Sequence, residues 1–198
     1  MKNFVFIVIS FPFLSLNLIA QDSFFSKFYF PNTYGLNYPI FNNHLKSNFI
    51  VSFGLEYRFE KKTPYFVRFS SENFWLEYNI KNGSQTNASQ SKLTINGFYF
   101  GPGLRKNMGK WKFLLLAQTG FVNYMYPIVE NTYNNYKVSF SRKNSFSCQA
   151  VLGVEYYLSK KFALTCESYY IIIPNANSFW KSNFENAGFR FGINASIF

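Results

Sequence analysis

Over residues 48–60, NFIVSFGLEYRFE, apolar and polar positions separate with a period of two. Phe49, Val51, Phe53, Leu55, Tyr57 and Phe59 fall on one side. Ile50, Ser52, Gly54, Glu56, Arg58 and Glu60 fall on the other, where five of the six are small, polar or charged. Successive side chains of an extended strand point to opposite faces, so this stretch is a strand with one greasy face and one wet face. At about 3.3 Å per residue it reaches roughly 43 Å, which a tilt of about 40° brings close to the height of a bilayer's hydrocarbon core. The pattern predicts a transmembrane β-strand.

The alternation recurs along the chain. A first strand is predicted over 24–34, weakened in its upper part by Pro31, and is followed by a loop over 35–47. The third strand covers 65–81. Tyr65, Val67 and Phe69 start it on one phase, and Phe74, Leu76, Tyr78 and Ile80 continue it on the other, which predicts a bulge near 71–73. Residues 82–91, NGSQTNASQS, are small and polar throughout and read as a long exposed loop. Strand four, 92–105, sets Leu93, Ile95 and Tyr99 against Lys92, Thr94 and Asn96. Strand five, 111–126, is apolar on both faces through Leu114–Leu116 and leaves its phase open, and 127–141 reads as a second long loop. Strand six alternates Phe146, Cys148, Ala150, Leu152, Val154 and Tyr156 with Ser147, Gln149, Gly153 and Glu155. Strand seven sets Phe162, Leu164, Cys166, Tyr170 and Ile172 against Thr165 and Glu167. After a loop over 174–183, strand eight, 184–198, sets Ala187, Phe189, Phe191, Ile193, Ala195 and Ile197 against Gly188, Arg190, Gly192, Asn194 and Ser196.

The connections order these strands. Tight turns at 61–64, 107–110 and 159–161, each bearing lysine, alternate with the four longer loops, and both chain ends fall on the tight-turn side. That is the even-stranded plan of an outer-membrane barrel with short periplasmic turns and long extracellular loops. The predicted fold is all-β, an eight-stranded antiparallel up-and-down transmembrane β-barrel, with six or ten strands as the alternative counts.

Composition agrees. Aromatics make up 23% of the chain and charged residues 15%, against about a quarter charged in soluble domains. A membrane barrel places that aromatic surface on its outside, with Tyr, Trp and Phe at the interfaces. Residues 1–20, MKNFVFIVISFPFLSLNLIA, read as a signal peptide cleaved after Ala20, leaving 21–198 as the barrel domain. No later window offers the roughly 20 apolar residues of a spanning helix. Strands are then the remaining route into a membrane, since every backbone amide must be paired in lipid.

The signal ending in Ala-Gln, the stretches GLEYRF and GVEYYLSKKFALTCESYY, and the terminal GFRFGINASIF resemble the small outer-membrane β-barrel proteins of Bacteroidota. These form a porin-like family related in shape to OmpA and OmpX. The resemblance covers essentially all of the mature chain and implies an outer-membrane location. It also implies a terminal aromatic in phase with the lipid face, for the barrel-assembly machinery to read; here Ile197 continues the apolar set and Phe198 is out of phase.

Candidate chemistry is sparse. Glu56, Arg58, Arg68, Glu77, Glu155, Glu167 and Arg190 fall on the polar phases of their strands and are predicted to form a charge network inside the barrel. An eight-stranded barrel is just wide enough for side chains to fill it. A salt-bridged plug or a narrow conduction path would use the same residues. His44, the only histidine, lies in a polar loop without companions at metal-ligand spacing, so no metal site, catalytic residue or cofactor is predicted. Antiparallel pairing about a turn near 160 sets Cys148 opposite about 172 and Cys166 opposite about 154, an offset beyond disulfide reach. Free thiols on the lipid face are expected.

The net charge of +11 does not imply nucleic acid. Basic residues gather near the turns (Lys61, Lys62, Arg105, Lys106, Lys110, Lys112, Lys160 and Lys161), where they can meet lipid phosphates. The reading is a non-enzymatic outer-membrane protein, structural or adhesive, with its loops as contact surface. Its expected partners are outer-membrane lipid and lipopolysaccharide, the barrel-assembly machinery during biogenesis, and a protein engaged through the loops. A small channel, an accessory subunit of an envelope secretion machine, a secreted lipocalin-like binder and, last, a lipid-modifying enzyme are the alternatives.

Overall fold

The computed structural model describes residues 27–40, 45–59, 63–79, 90–132, 135–174, 176 and 183–196. Eight long strands run through them: β1 (Phe28–Ile40), β2 (Asn48–Arg58), β3 (Tyr65–Asn79), β4 (Gln90–Met108), β5 (Trp111–Thr132), β6 (Asn135–Tyr157), β7 (Phe162–Ile173) and β8 (Phe184–Ser196). Each pairs antiparallel with its neighbours in sequence, and β8 returns to β1 over twelve residue pairs. The product is a closed eight-stranded antiparallel barrel. Closure removes the unpaired edges that an open sheet would leave.

One end of the barrel carries the short connections and both ends of the described chain. There Met108 pairs with Trp111 across a two-residue turn, and Gly109 takes a positive φ of 66°, a conformation that glycine adopts without steric cost. The other end carries the long connections. Alternation sorts the two faces cleanly on β6, β7 and β8. Phe146, Cys148, Ala150 and Leu152, then Phe162, Leu164 and Cys166, then Phe189, Phe191 and Ile193 are exposed outside, while Gln149, Glu155, Thr165, Glu167, Arg190 and Asn194 are buried inside. Cys148 pairs with Ile172 and Cys166 with Val154, and both thiols are free on the outer wall.

Several expectations are corrected. β1 runs six residues beyond position 34, through Gly35–Ile40, because β8 supplies partners up to Ile40. Pro31 lacks an amide hydrogen and interrupts the ladder to β2, yet it stays paired with Asn194 on the other side. No bulge interrupts β3, whose register is continuous with β2 from Phe66 to Phe74 and with β4 from Tyr65 to Asn79. The register shift falls instead on the preceding segment, where a two-residue strand, Leu45–Lys46, pairs with Tyr78 and Glu77 one position out of step with β2. Phe74 and Leu76 therefore point inward and are fully buried.

β4 also turns the apolar set of its first half inward: Leu93, Ile95 and Tyr99 are buried, while Phe98, Phe100 and Leu104 face out. Most of 127–141 is strand rather than loop, since β5 and β6 pair continuously as far as Thr132 and Asn135. The predicted signal peptide, His44 and the terminal Ile197–Phe198 lie outside the described residues.

Candidate functional site

What a small barrel can do depends on what fills it. In the half nearer the short turns, the inward phases of six strands bring four arginines and four glutamates together among the described residues. Glu56 on β2 sits directly opposite Arg68 on β3, and Glu167 on β7 directly opposite Arg190 on β8. Arg68 bridges the two pairs: its Nη2 lies 2.9 Å from Glu56 Oε2, and its Nη1 reaches across the lumen to Glu167 Oε1 at 2.7 Å. Arg190 Nε holds Glu167 Oε2 at 2.7 Å, and its Nη1 crosses to Glu72 Oε1 at 2.5 Å.

Nearer the turns, Arg105 Nη2 lies between Glu56 Oε1 at 2.8 Å and Glu155 Oε1 at 3.1 Å. Arg58 Nε donates to Glu56 Oε1 at 2.6 Å and its Nη1 to the Tyr157 hydroxyl at 2.7 Å. Ser52 and Gln149 donate to Glu72, and Asn194 donates to Glu155. Charges thus alternate in sign up the lumen. Glu56, Arg68, Glu72, Glu155, Glu167 and Arg190 expose no more than 2% of their surface.

Six of the seven residues assigned to the interior by sequence come together here. Glu77 does not. It lies on the outward phase of β3, opposite Lys46, and accepts from Asn48 Nδ2. Its misplacement follows from the absent bulge, and so does the omission of Glu72. Arg105 and Lys112 were expected at the lipid boundary, but both turn inward; Lys112 Nζ stands 3.7 Å from the Tyr157 ring centre. Glycine could have revealed Arg105, because Gly97, Gly101 and Gly103 share its phase, and the first and last of them leave room for the inward rings of Tyr99 and Phe66. A Cβ on Gly103 would lie 2.1 Å from the Phe66 ring, and the Arg105 guanidinium stands over that same ring, 4.6 Å from its centre.

The half nearer the long connections is filled differently. Ile50, Phe74, Leu76, Leu93, Ile95, Val122, Ile171, Ile173 and Phe184 form one buried cluster with the rings of Tyr99, Tyr124, Tyr126 and Tyr169. Some of its few polar atoms are tied locally: the Tyr99 hydroxyl lies 3.2 Å from Ser147 Oγ, which donates to Ile172 O. Asn37 Nδ2 donates to Phe49 O on β2 and to Trp75 O on β3, tying β1 to the next two strands.

The polarity is the reverse of a soluble ligand-binding barrel. Phe98, Phe100, Phe121, Leu152, Phe189 and Phe191 are each more than half exposed on the outer wall. An exposed apolar surface of that extent marks contact with lipid or with a partner. At the turn end Trp111 packs on Tyr156 with ring centres 4.7 Å apart, beside exposed Lys110, Lys160 and Lys161. Among the described residues no group of three or more His, Cys, Asp or Glu is placed to hold a metal ion.

No family model and no curated protein matches the chain. Among solved structures, Neisserial surface protein A is similar over 86% of this chain and 97% of its own, with 13% identity and a TM-score of 0.55. The N-terminal β-barrel domain of Pseudomonas aeruginosa OprF aligns over 85% of this chain and 98% of its own, at 11% identity and a TM-score of 0.43. Ail, the attachment invasion locus protein of Yersinia pestis, aligns over 85% and 98%, at 12% identity and 0.46. The likeness to the first is one of fold: the chain has the architecture of the small outer-membrane barrels.

Proposed function

We propose that the chain is an integral outer-membrane protein, non-enzymatic and non-conducting, that presents its long connections as a contact surface outside the cell. The observation that carries this reading is the filled lumen. A conduction path would have to thread eight mutually paired charges, six of them with almost no exposed surface, and then a buried apolar plug. Desolvated charges held by several partners do not part easily, and an apolar constriction excludes water and ions.

In this reading residues 1–20 export the chain and are removed, the short turns face the periplasm, and the barrel-assembly machinery inserts residues 21–198. The apolar wall meets lipid and lipopolysaccharide, and no cofactor takes part. The chain is then akin to the small Bacteroidota barrels that its GLEYRF and GFRFGINASIF stretches resemble. An adhesive or structural task is supported by the β5–β6 hairpin. It pairs out to Thr132 and Asn135, whereas β4 leaves β5 at Met125 and β7 leaves β6 at Cys148. It therefore projects as a ribbon beyond its neighbours, where a partner can reach it.

The test is membrane fractionation with heat-modifiability, followed by protease treatment of intact cells. The reading expects recovery with the outer membrane, an unheated band that migrates apart from the boiled one, and cleavage confined to the projecting hairpin and other long connections. Recovery in the soluble fraction would overturn it.

A further inference from the structure

The outer wall is not uniformly greasy. Register places Asn73, Asn96, Asn123 and Asn144 directly opposite one another across β3, β4, β5 and β6, a row of four side-chain amides on the outward face. Asn123 Nδ2 donates to Asn144 Oδ1 at 2.7 Å. One outward position further toward the long connections stands Arg142, exposed and opposite Met125. One outward position toward the turns lie Phe98, Phe121 and Phe146, the last two edge to face with ring centres 6.3 Å apart.

Directly below these rings the wall is concave. A groove of about 420 Å³ has Ala117, Thr119, Cys148 and Ala150 as its floor, with Phe100 on one bank and Ile172 on the other. Along β5 and β6 the order from the loop end is thus cation, amide, aromatic ring, apolar groove. Asn123 and Thr119 are four residues apart, roughly 14 Å along the strand.

That order matches the cross-section of a membrane lipid. Resting on the outer-membrane placement above, we propose that this strip of β4–β6 is a binding site for one phosphorylated glycolipid of the outer leaflet. Arg142 takes a phosphate, the amide row meets sugar hydroxyls and acyl carbonyls, and the groove seats one acyl chain beneath the phenylalanine rings. Asparagine amides both donate and accept, which suits a hydroxyl-rich headgroup, and aromatic rings suit the boundary between headgroup and chain. Charge supports an anionic ligand: over β4, residues 111–126 of β5, and β6, the only acid is Glu155, which points into the lumen.

The experiment uses the full chain folded in detergent micelles, with bis-phosphorylated lipid A as probe and native mass spectrometry as readout. The wild type is expected to retain one lipid per barrel, and the dephosphorylated lipid to be retained about tenfold less, as loss of a charge-assisted contact implies. Arg142→Glu should cause a loss of similar size, and the paired Ala117→Leu and Ala150→Leu, which fill the groove, should abolish retention. Asn144→Asp, equal in volume and opposed in charge, gives a second reading of the headgroup contact should the filled-groove variant not fold. Equal retention by wild type and variants, or of both lipids, would overturn the site. Heat-modifiability separates the two claims: a folded barrel that retains no lipid A refutes the glycolipid site alone, whereas a chain that never inserts refutes the outer-membrane reading as well.

Discussion

The two halves of the lumen solve one packing problem with opposite chemistry. Toward the turns, Glu56, Arg68, Glu167, Arg190 and Glu72 close the space by alternating charge beside a smaller apolar set, Phe66, Leu114, Leu116 and Val151; toward the long connections, Phe74, Leu76, Ile95, Ile171 and their neighbours close it by apolar contact. The charged half fixes geometry, since each carboxylate has more than one donor and a one-residue slip would carry every charge to the outer face. The apolar half needs only volume and shape. A barrel of this size can therefore be shut with either material, and this one uses both in series.

The difference should appear first in how the halves tolerate deletion. Arg68→Met leaves Glu56 and Glu167 buried without the cation that joins them, and is expected to lower stability by about 3–5 kcal/mol, read as the shift of the urea unfolding midpoint in detergent. Replacing Glu56 and Arg68 together by apolar residues should cost less than Arg68→Met alone, because no uncompensated charge remains. Phe74→Ala in the apolar half should cost about 3 kcal/mol through the cavity it leaves. Unlike the charged variant, its loss should be largely recovered by Phe74→Leu, since apolar swaps of similar volume are tolerated.

A finer contrast lies within one strand. Glu72→Gln removes a carboxylate that binds Arg190, Gln149 and Ser52 and should cost about 2 kcal/mol, while Glu77→Gln, outside the lumen, should shift the midpoint by less than about 0.5 kcal/mol. Similar losses at the two positions would mean that the inside of β3 has been assigned to the wrong phase.

The same contrast explains how much of the molecule was legible in its sequence. On the strands that carry the lumen's charges, the inward phase is polar and the outward phase apolar, so period-two alternation identifies both faces; β5, which turns Leu114 and Leu116 inward beside those charges, is the exception. β2 between Ser52 and Arg58, all of β6 beyond Ser145, β7 and β8 read correctly for that reason, and the cysteine register followed from them. Where the lumen is apolar, both phases are greasy and the alternation carries no sign. Phe74 and Leu76 then look like a change of face, so that a bulge is expected where the strand is continuous, Glu77 is placed inside and Glu72 is left out. Leu93, Ile95 and Tyr99 failed in the same way. The long hairpin escaped notice because Asn, Tyr and Pro around 127–136 carry turn chemistry, while the pairing of β5 with β6 is a long-range property that no local window reports.

Glycine supplies the cue that hydropathy lacked. Gly97, Gly101 and Gly103 on β4, and Gly188 and Gly192 on β8, lie on the inward phase, and the first and fourth sit under the rings of Tyr99 and Tyr169. In a narrow barrel the inward phase is the one that alternates large with small. Read that way, β4 places Arg105 inside with no reference to its polarity.

A lumen closed from end to end carries no ions, and single-channel recording reads that property without an intermediary. Heat-modifiable wild-type protein reconstituted in a planar bilayer is expected to give no discrete conductance steps at either polarity. Regular, voltage-stable openings from the wild-type barrel would contradict the account and show that the charged and apolar halves leave a path for ions.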